Sequence, residues 1–194
     1  MILILDTETN GLPVDWKAPK EEVENWPRII QIAWQHYTPE GKKIAEHNYL
    51  IKPNGFELKK EAQAVNGITR EMLEKDGVSI KYALKMLELS LHVTTKIVAH
   101  NMSFDKKVVQ AEMVRISQQK ALEKMHDIEK ICTMMSSTKF CNLPGPRGAK
   151  WPKLEELHMC LFKSIPTQAH DALADVDATA KCFFELHKRG IIGA

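Results

Sequence analysis

The spacing of apolar and polar positions changes several times along the 194 residues. Ile2-Leu3-Ile4-Leu5 is an unbroken apolar run that stops at Asp6, the pattern of a strand buried on both faces. From Arg28 to Tyr37, Ile30, Ile32 and Trp34 alternate with Gln31, Ala33 and Gln35, which is strand periodicity. Thr38-Pro39-Glu40-Gly41 is turn chemistry, and Ile44 to Lys52 can return beside the strand before it. The three segments predict an antiparallel meander. Between the first two, Gly11 to Trp26 is rich in proline, tryptophan and charge and reads as a long surface loop.

Further along, the period lengthens. Ile80, Leu84, Leu87 and Leu91 form one helical stripe behind Ser79 as N-cap. Lys96 to Ala99 reads as a short strand ending at His100. Phe104, Val108 and Ala111 mark a helix predicted to run to about Lys120, and Ile128 to Thr133 a further strand. Three prolines and two glycines make Asn142 to Pro152 a loop. Leu154 to Phe162 is a short helix, and a last helix spans about Asp171 to Arg189 with Gly190 as its stop. The expected fold class is α/β: a mixed sheet, with a three-strand antiparallel meander plus parallel strands, flanked by helices.

Composition narrows this only slightly. Hydrophobic residues make up 44% and charged residues 27%, the values of a globular chain able to bury a core, and the length predicts a single domain over 1–194. No apolar run approaches the ~20 residues of a membrane span, and the first run has no basic leader, so a cytoplasmic protein with no membrane partner is expected. Cys132, Cys141, Cys160 and Cys182 are widely spaced and read as ordinary thiols. A net charge of +2 identifies no partner. Any basic footprint must be local, with Lys139, Arg147, Lys150 and Lys153 as candidates against the simpler reading of a solvated loop.

Three acidic clusters stand at ends of predicted elements. In Asp6-Thr7-Glu8 the carboxylates at i and i+2 project to one face of a strand. Alone, the pair is equally a polar strand end entering the turn at Asn10-Gly11. His100-Asn101-Met102-Ser103-Phe104-Asp105 lies where a strand becomes a helix, and Asn101 or Ser103 as cap with Asp105 as a first-turn acid would explain it. His170-Asp171-Ala172-Leu173-Ala174-Asp175-Val176-Asp177 opens the last helix. His170 and Asp175 would lie about 140° apart on a continuous helix, so His170 fits better in the preceding loop. Asp171 could cap the helix and Asp177 could pair with Lys181, so helical geometry does not choose the functional acid.

Together the clusters imply more. Four carboxylates in one pocket would repel by roughly 4 kcal/mol per pair at 4 Å and an effective dielectric of 20. Either some protonate or divalent cations neutralise them, and an all-oxygen set favours Mg²⁺ or Mn²⁺ over zinc. Two such ions about 3.5–4 Å apart serve in-line displacement at phosphorus, and a histidine suits proton transfer from water. The chemistry implied is phosphodiester hydrolysis.

The segments Asp6 to Leu12, His100 to Asp105 and His170 to Asp175 resemble, in order, the three exonuclease motifs of the DnaQ-like (DEDD) exonucleases. His170, five residues before Asp175, is similar to the histidine that marks the DEDDh branch, and Gly67-Ile68-Thr69 with Met72-Leu73 resembles the family's connecting segment. Asn10 stands where many relatives have a threonine, and the Trp-rich insertion through Trp16 and Trp26 is a larger departure. The resemblance implies a ribonuclease H-like fold and a 3′→5′ exonuclease that releases nucleoside 5′-monophosphates with two divalent cations. Asp6, Glu8 and Asp175 would hold the metal that carries the attacking water, with Asp6 bridging. Asp105 would hold the second ion, and His170 would be the general base. Thr7, Thr9 and Leu12 would receive the terminal nucleotide, with Phe104 shaping the pocket and Asn101 supporting it.

The substrate expected is the 3′ end of single-stranded nucleic acid, DNA first, from a stand-alone enzyme or a proofreading subunit with a DNA polymerase partner. An RNA-trimming enzyme of the RNase T or oligoribonuclease type uses the same carboxylates, because 2′-hydroxyl recognition lies in other contacts. A non-catalytic binding module would predict damage to the acidic set, and all five positions are intact.

Overall fold

The computed structural model describes residues 1–166 and 171–193. Its main sheet is built from β1 (Ile2–Thr9), β2 (Ile29–Tyr37), β3 (Lys43–Leu50), β4 (Lys96–Ala99) and β5 (Glu129–Cys132), in the order β3-β2-β1-β4-β5. The meander is antiparallel, with Ile2 opposite Tyr37 and Asp6 opposite Ala33, whereas β4 and β5 run parallel to β1. The expected mixed sheet is present. The helices are α1 (Lys60–Asn66), α2 (Arg70–Asp76), α3 (Ile80–Leu91), α4 (Met102–Arg115), α5 (Gln119–Asp127), α6 (Thr133–Cys141), α7 (Leu154–Phe162) and α8 (Ala172–Lys188). Among the described residues, no helix is long and apolar enough to cross a membrane.

The sheet is covered on both faces, which explains why β1 is apolar without interruption. Leu3 and Leu5 join one core with residues of α3, α4 and α5. Ile2 and Ile4 join the other with Leu157 and Leu161 of α7 and Val176, Ala180 and Phe183 of α8. The alternation in β2 has the same cause. All nine of its residues are buried, and the polar members Gln31 and Gln35 face helix rather than water.

Three details differ from the sequence reading. The helix expected to reach Lys120 stops at Arg115. There Ser117 adopts φ 57, and the amides of Ser117 and Gln118 bond back to Val114 and Met113, a Schellman stop made without glycine. The segment Asn142 to Pro152 contains a small hairpin of β6 (Pro144–Gly145) and β7 (Gly148–Ala149). The short helices α1, α2 and α6 had no strong stripe to announce them. The Gly11–Trp26 segment is the expected surface loop, tied down at several points. Trp26 is buried with its indole N–H on the Pro19 carbonyl, the Lys107 ammonium donates to the Trp16 and Ala18 carbonyls, and Arg115 donates to those of Val23 and Trp26.

Candidate active site

The period of a strand decides where the first acids go. Ile2 and Ile4 face α8, so Asp6 and Glu8 continue toward α8 beyond the core, while Thr7 and Thr9 turn toward α4. Opposite them, the first turn of α8 supplies Asp175. One carboxylate oxygen from each of Asp6, Glu8 and Asp175 lies within 4.8 Å of the others, and all three residues are partly buried. The candidates that helical geometry left open are thereby distinguished by position. Asp171 is the N-cap of α8, accepting from the Ala174 amide at 3.0 Å. Asp177 accepts from Gln35 at 2.7 Å and lies 3.9 Å from Lys43, rather than pairing with Lys181.

Two glutamines of β2 hold α8 in this place, and the sequence reading gave them no role. Gln31 donates to Asp171 at 3.0 Å and accepts from the Ala172 amide at 3.1 Å. Gln35 reaches Asp177 further along the helix, with its own amide oxygen held by the Tyr37 hydroxyl at 2.5 Å. Both glutamines are nearly fully buried, and their uncharged side chains on an otherwise apolar strand were the available signal. Asn10, the departure from the family pattern, joins strand ends: its side chain accepts from the Arg28 amide and donates to the Glu57 carbonyl.

Asp105 comes from the other side. It is 2% exposed, and one of its oxygens accepts both the Thr7 amide at 3.1 Å and the Thr7 hydroxyl at 2.8 Å. Thr7 therefore connects the first motif to the second. Asn101 makes the sharp entry into α4 with φ 72, and its side chain makes no cap bond. His100 is a structural tie. Its Nε2 contacts the Pro152 carbonyl at 3.0 Å and so must carry the proton, leaving Nδ1 to accept from the Thr133 hydroxyl at 3.0 Å. Burial pushes its pKa down to about 4. His170 lies outside the described residues.

Beside the carboxylates opens a cleft of about 460 Å³. Thr7, Glu8, Thr9, Leu12 and Phe104 line one part of it, while Asn101 does not. Leu12 is 66% exposed at its rim, and Phe104 is braced by the Trp16 ring at 5.7 Å. The opposite wall is α1 with Lys59 before it, which sequence reasoning missed because a seven-residue helix carries little periodic signal. From that wall Asn66 approaches Glu8 at 3.5 Å.

The electrostatics are strained in one direction. Burial, then the charges of Asp105, Asp175 and Glu8, drive the Asp6 carboxyl well above its usual range. Burial and Asp175 push Glu8 up to about 8, although Asn66 opposes them. Asp105 is also raised by burial, against the hydrogen bonds from Thr7. A hard divalent cation fits this donor set, because it would relieve the repulsion with oxygen ligands alone.

A family model described as RNase T, exonuclease, matches residues 3–183. The chain belongs to this exonuclease family. Its architecture is the ribonuclease H-like fold of such exonucleases, within the DEDD superfamily that the three motifs resemble. Among solved structures, the zinc-bound complex of E. coli exonuclease I with single-stranded DNA superposes with a TM-score of 0.78 at 22% identity, covering 97% of this exonuclease and 40% of that chain. The E. coli enzyme with a dA16 oligonucleotide gives 0.76 at 23% identity, covering 97% and 41%. A product-bound exonuclease I gives 0.73 at 20%, covering 96% and 43%. This exonuclease thus spans about two fifths of the length of those chains. A comparison with curated proteins finds no match.

Proposed function

We propose that this exonuclease removes nucleotides from the 3′ end of single-stranded nucleic acid, DNA before RNA, as nucleoside 5′-monophosphates. The observation that carries the reading is the approach of Asp6, Glu8 and Asp175 within 4.8 Å at the edge of a nucleotide-sized cleft. The preference for DNA is supported by the similar structures, which are of exonuclease I with single-stranded DNA.

In this reading Asp6, Glu8 and Asp175 hold a divalent cation, and Asp105 serves a second one. Bound there, such ions offset the charge of the phosphate and acidify water. The chain's own residues supply the rest. The cleft between Leu12, Phe104 and α1 takes the terminal nucleoside, and Thr7 and Thr9 offer polar groups at its floor. Water attacks phosphorus as the bond to the 3′ oxygen of the preceding nucleotide breaks, and the leaving oxygen ends as a new 3′ hydroxyl. His170, joined directly to the N-cap Asp171, takes the proton from that water. Cys132, Cys141, Cys160 and Cys182 are free thiols, which accords with a reducing, cytoplasmic setting.

The test is a purified sample on matched 5′-labelled DNA and RNA single strands with Mg²⁺ or Mn²⁺. A ladder descending from the 3′ end, faster on DNA and absent for Asp6→Asn, is expected. No shortening of either strand with either metal sinks the reading, and a faster RNA ladder moves it to an RNA-trimming enzyme.

A further inference from the structure

The segment from Asn142 to Lys153 carries Arg147, Lys150 and Lys153 and no carboxylate, in a chain whose net charge is only +2. The cleft and the carboxylates make no use of it, yet it is built. The β6–β7 pairing holds it, with the Lys150 amide on the Leu143 carbonyl at 2.9 Å. At Gly145 any side chain would meet the Gly148 carbonyl oxygen at 3.0 Å, so the two strands approach as only glycine allows.

Its place in the fold is set by His100. That imidazole follows β4 and bonds both Thr133, which follows β5, and the carbonyl of Pro152. Because β1, β4 and β5 are parallel, their C-terminal ends share one end of the sheet, and Glu8 lies near the end of β1. The hairpin leads into α7, which packs on the face toward which Asp6 and Glu8 point. Pro152 is buried by this anchoring, while its neighbour Trp151 is 63% exposed. Lys150 is held by Glu156 at 2.5 Å, but Lys153 keeps 75% of its side chain exposed, 3.9 Å from Glu155. Arg147 makes no ion pair with another described residue and is exposed at the hairpin tip.

We propose that this hairpin and the turn after it are a landing surface for the single strand behind the terminal nucleotide, with Trp151 stacking on a base and Arg147 and Lys153 meeting phosphates. The proposal rests on the exonuclease reading and extends it to the part of the substrate outside the cleft. An indole face serves any base, and an exposed arginine beside a lysine held only loosely by Glu155 suits a polyanion, so the contact is indifferent to sequence.

The experiment measures binding of a labelled dA16 strand and of a dinucleotide in EDTA, and cleavage of the same strands with Mg²⁺ or Mn²⁺. Trp151→Ala is expected to weaken dA16 binding about ten-fold, with most of it restored in Trp151→Phe, and dinucleotide binding by less than about two-fold. Arg147→Gln with Lys153→Gln is expected to lower the slope of log affinity against log salt by roughly 1.4 on dA16. Equal losses on both lengths, or no loss on dA16, overturn the landing surface while cleavage by the wild type leaves the exonuclease reading standing. Failure of the wild type to cleave either strand with either metal overturns that reading, and the proposal falls with it.

Discussion

Two groups of buried acids in this molecule are handled in opposite ways. Glu112 on α4 is fully buried, and its Oε1 meets the Arg28 guanidinium at 2.8 Å, that of Arg115 at 3.1 Å and the Ile29 amide at 3.2 Å. The chain supplies the positive charge itself, and the result clamps α4, the start of β2 and the Trp26 segment together. At Asp6 and Glu8, burial first and then the neighbouring acids, Asp175 among them, raise the carboxyl pKa. A carboxylate that serves the fold is compensated from within, whereas the carboxylate set proposed to receive a cation is left repelling. The contrast separates structural acids from functional ones more sharply than burial alone.

The contrast is broken or sharpened by four changes. Asp6→Asn should abolish nuclease activity by roughly a thousand-fold or more while the metal-free protein melts no lower than the wild type, because one repelling charge is gone. Single-turnover cleavage and a thermal melt in EDTA read the two effects, and a large loss of stability would place Asp6 with the structural acids. Glu112→Gln should do the reverse, costing about 3–5 kcal/mol in urea unfolding by stranding two arginines, with the folded fraction still cleaving. A stable but inactive Glu112→Gln would reverse the assignment.

A third test concerns whether the site end has an internal cation after all. His100 has both ring nitrogens engaged and a folded pKa of about 4 against an ordinary value of 6.5. The unfolded chain therefore binds the proton first. Stability contributed by neutral His100 is complete above about pH 6.5 and is lost as pH falls toward 4, by roughly 3 kcal/mol. Urea midpoints across that window should differ in slope between the wild type and His100→Gln by this amount, on top of the opposite slope that the raised carboxyls of Asp6, Glu8 and Asp105 give both proteins; identical slopes in the two would remove His100 from the account. Smallest is metal binding without substrate. Mg²⁺ or Mn²⁺ at a hundred times its dissociation constant should stabilise the wild type by about 2.7 kcal/mol and Asp6→Asn far less. Equal stabilisation of both would mean that the cation binds elsewhere.

How much of this was legible differs from element to element. The buried run of β1, the meander and the stripe of α3 were readable, since each has enough residues for its period to stand out. Motifs carried the three acidic segments and their order. The missed parts have physical reasons. Ser117 ends α4 through a backbone conformation that serine rarely adopts, so nothing in its identity announced the stop. Lys59 and Asn66 line the cleft from a helix too short to show a stripe. Gln31 and Gln35 gave only strand alternation, which is the same whether the polar face meets water or a helix.

The sequence by itself determined the local alphabet: which stretches extend, which coil, and that Asp6 and Glu8 must share a face, because a strand repeats every two residues. Tertiary structure alone decided which of Asp171, Asp175 and Asp177 joins them. That choice depends on how α8 is rotated and docked against β2, and the contacts that set it, Gln31 with Asp171 and Gln35 with Asp177, span about 140 residues of chain. Local periodicity holds no information about partners so far apart.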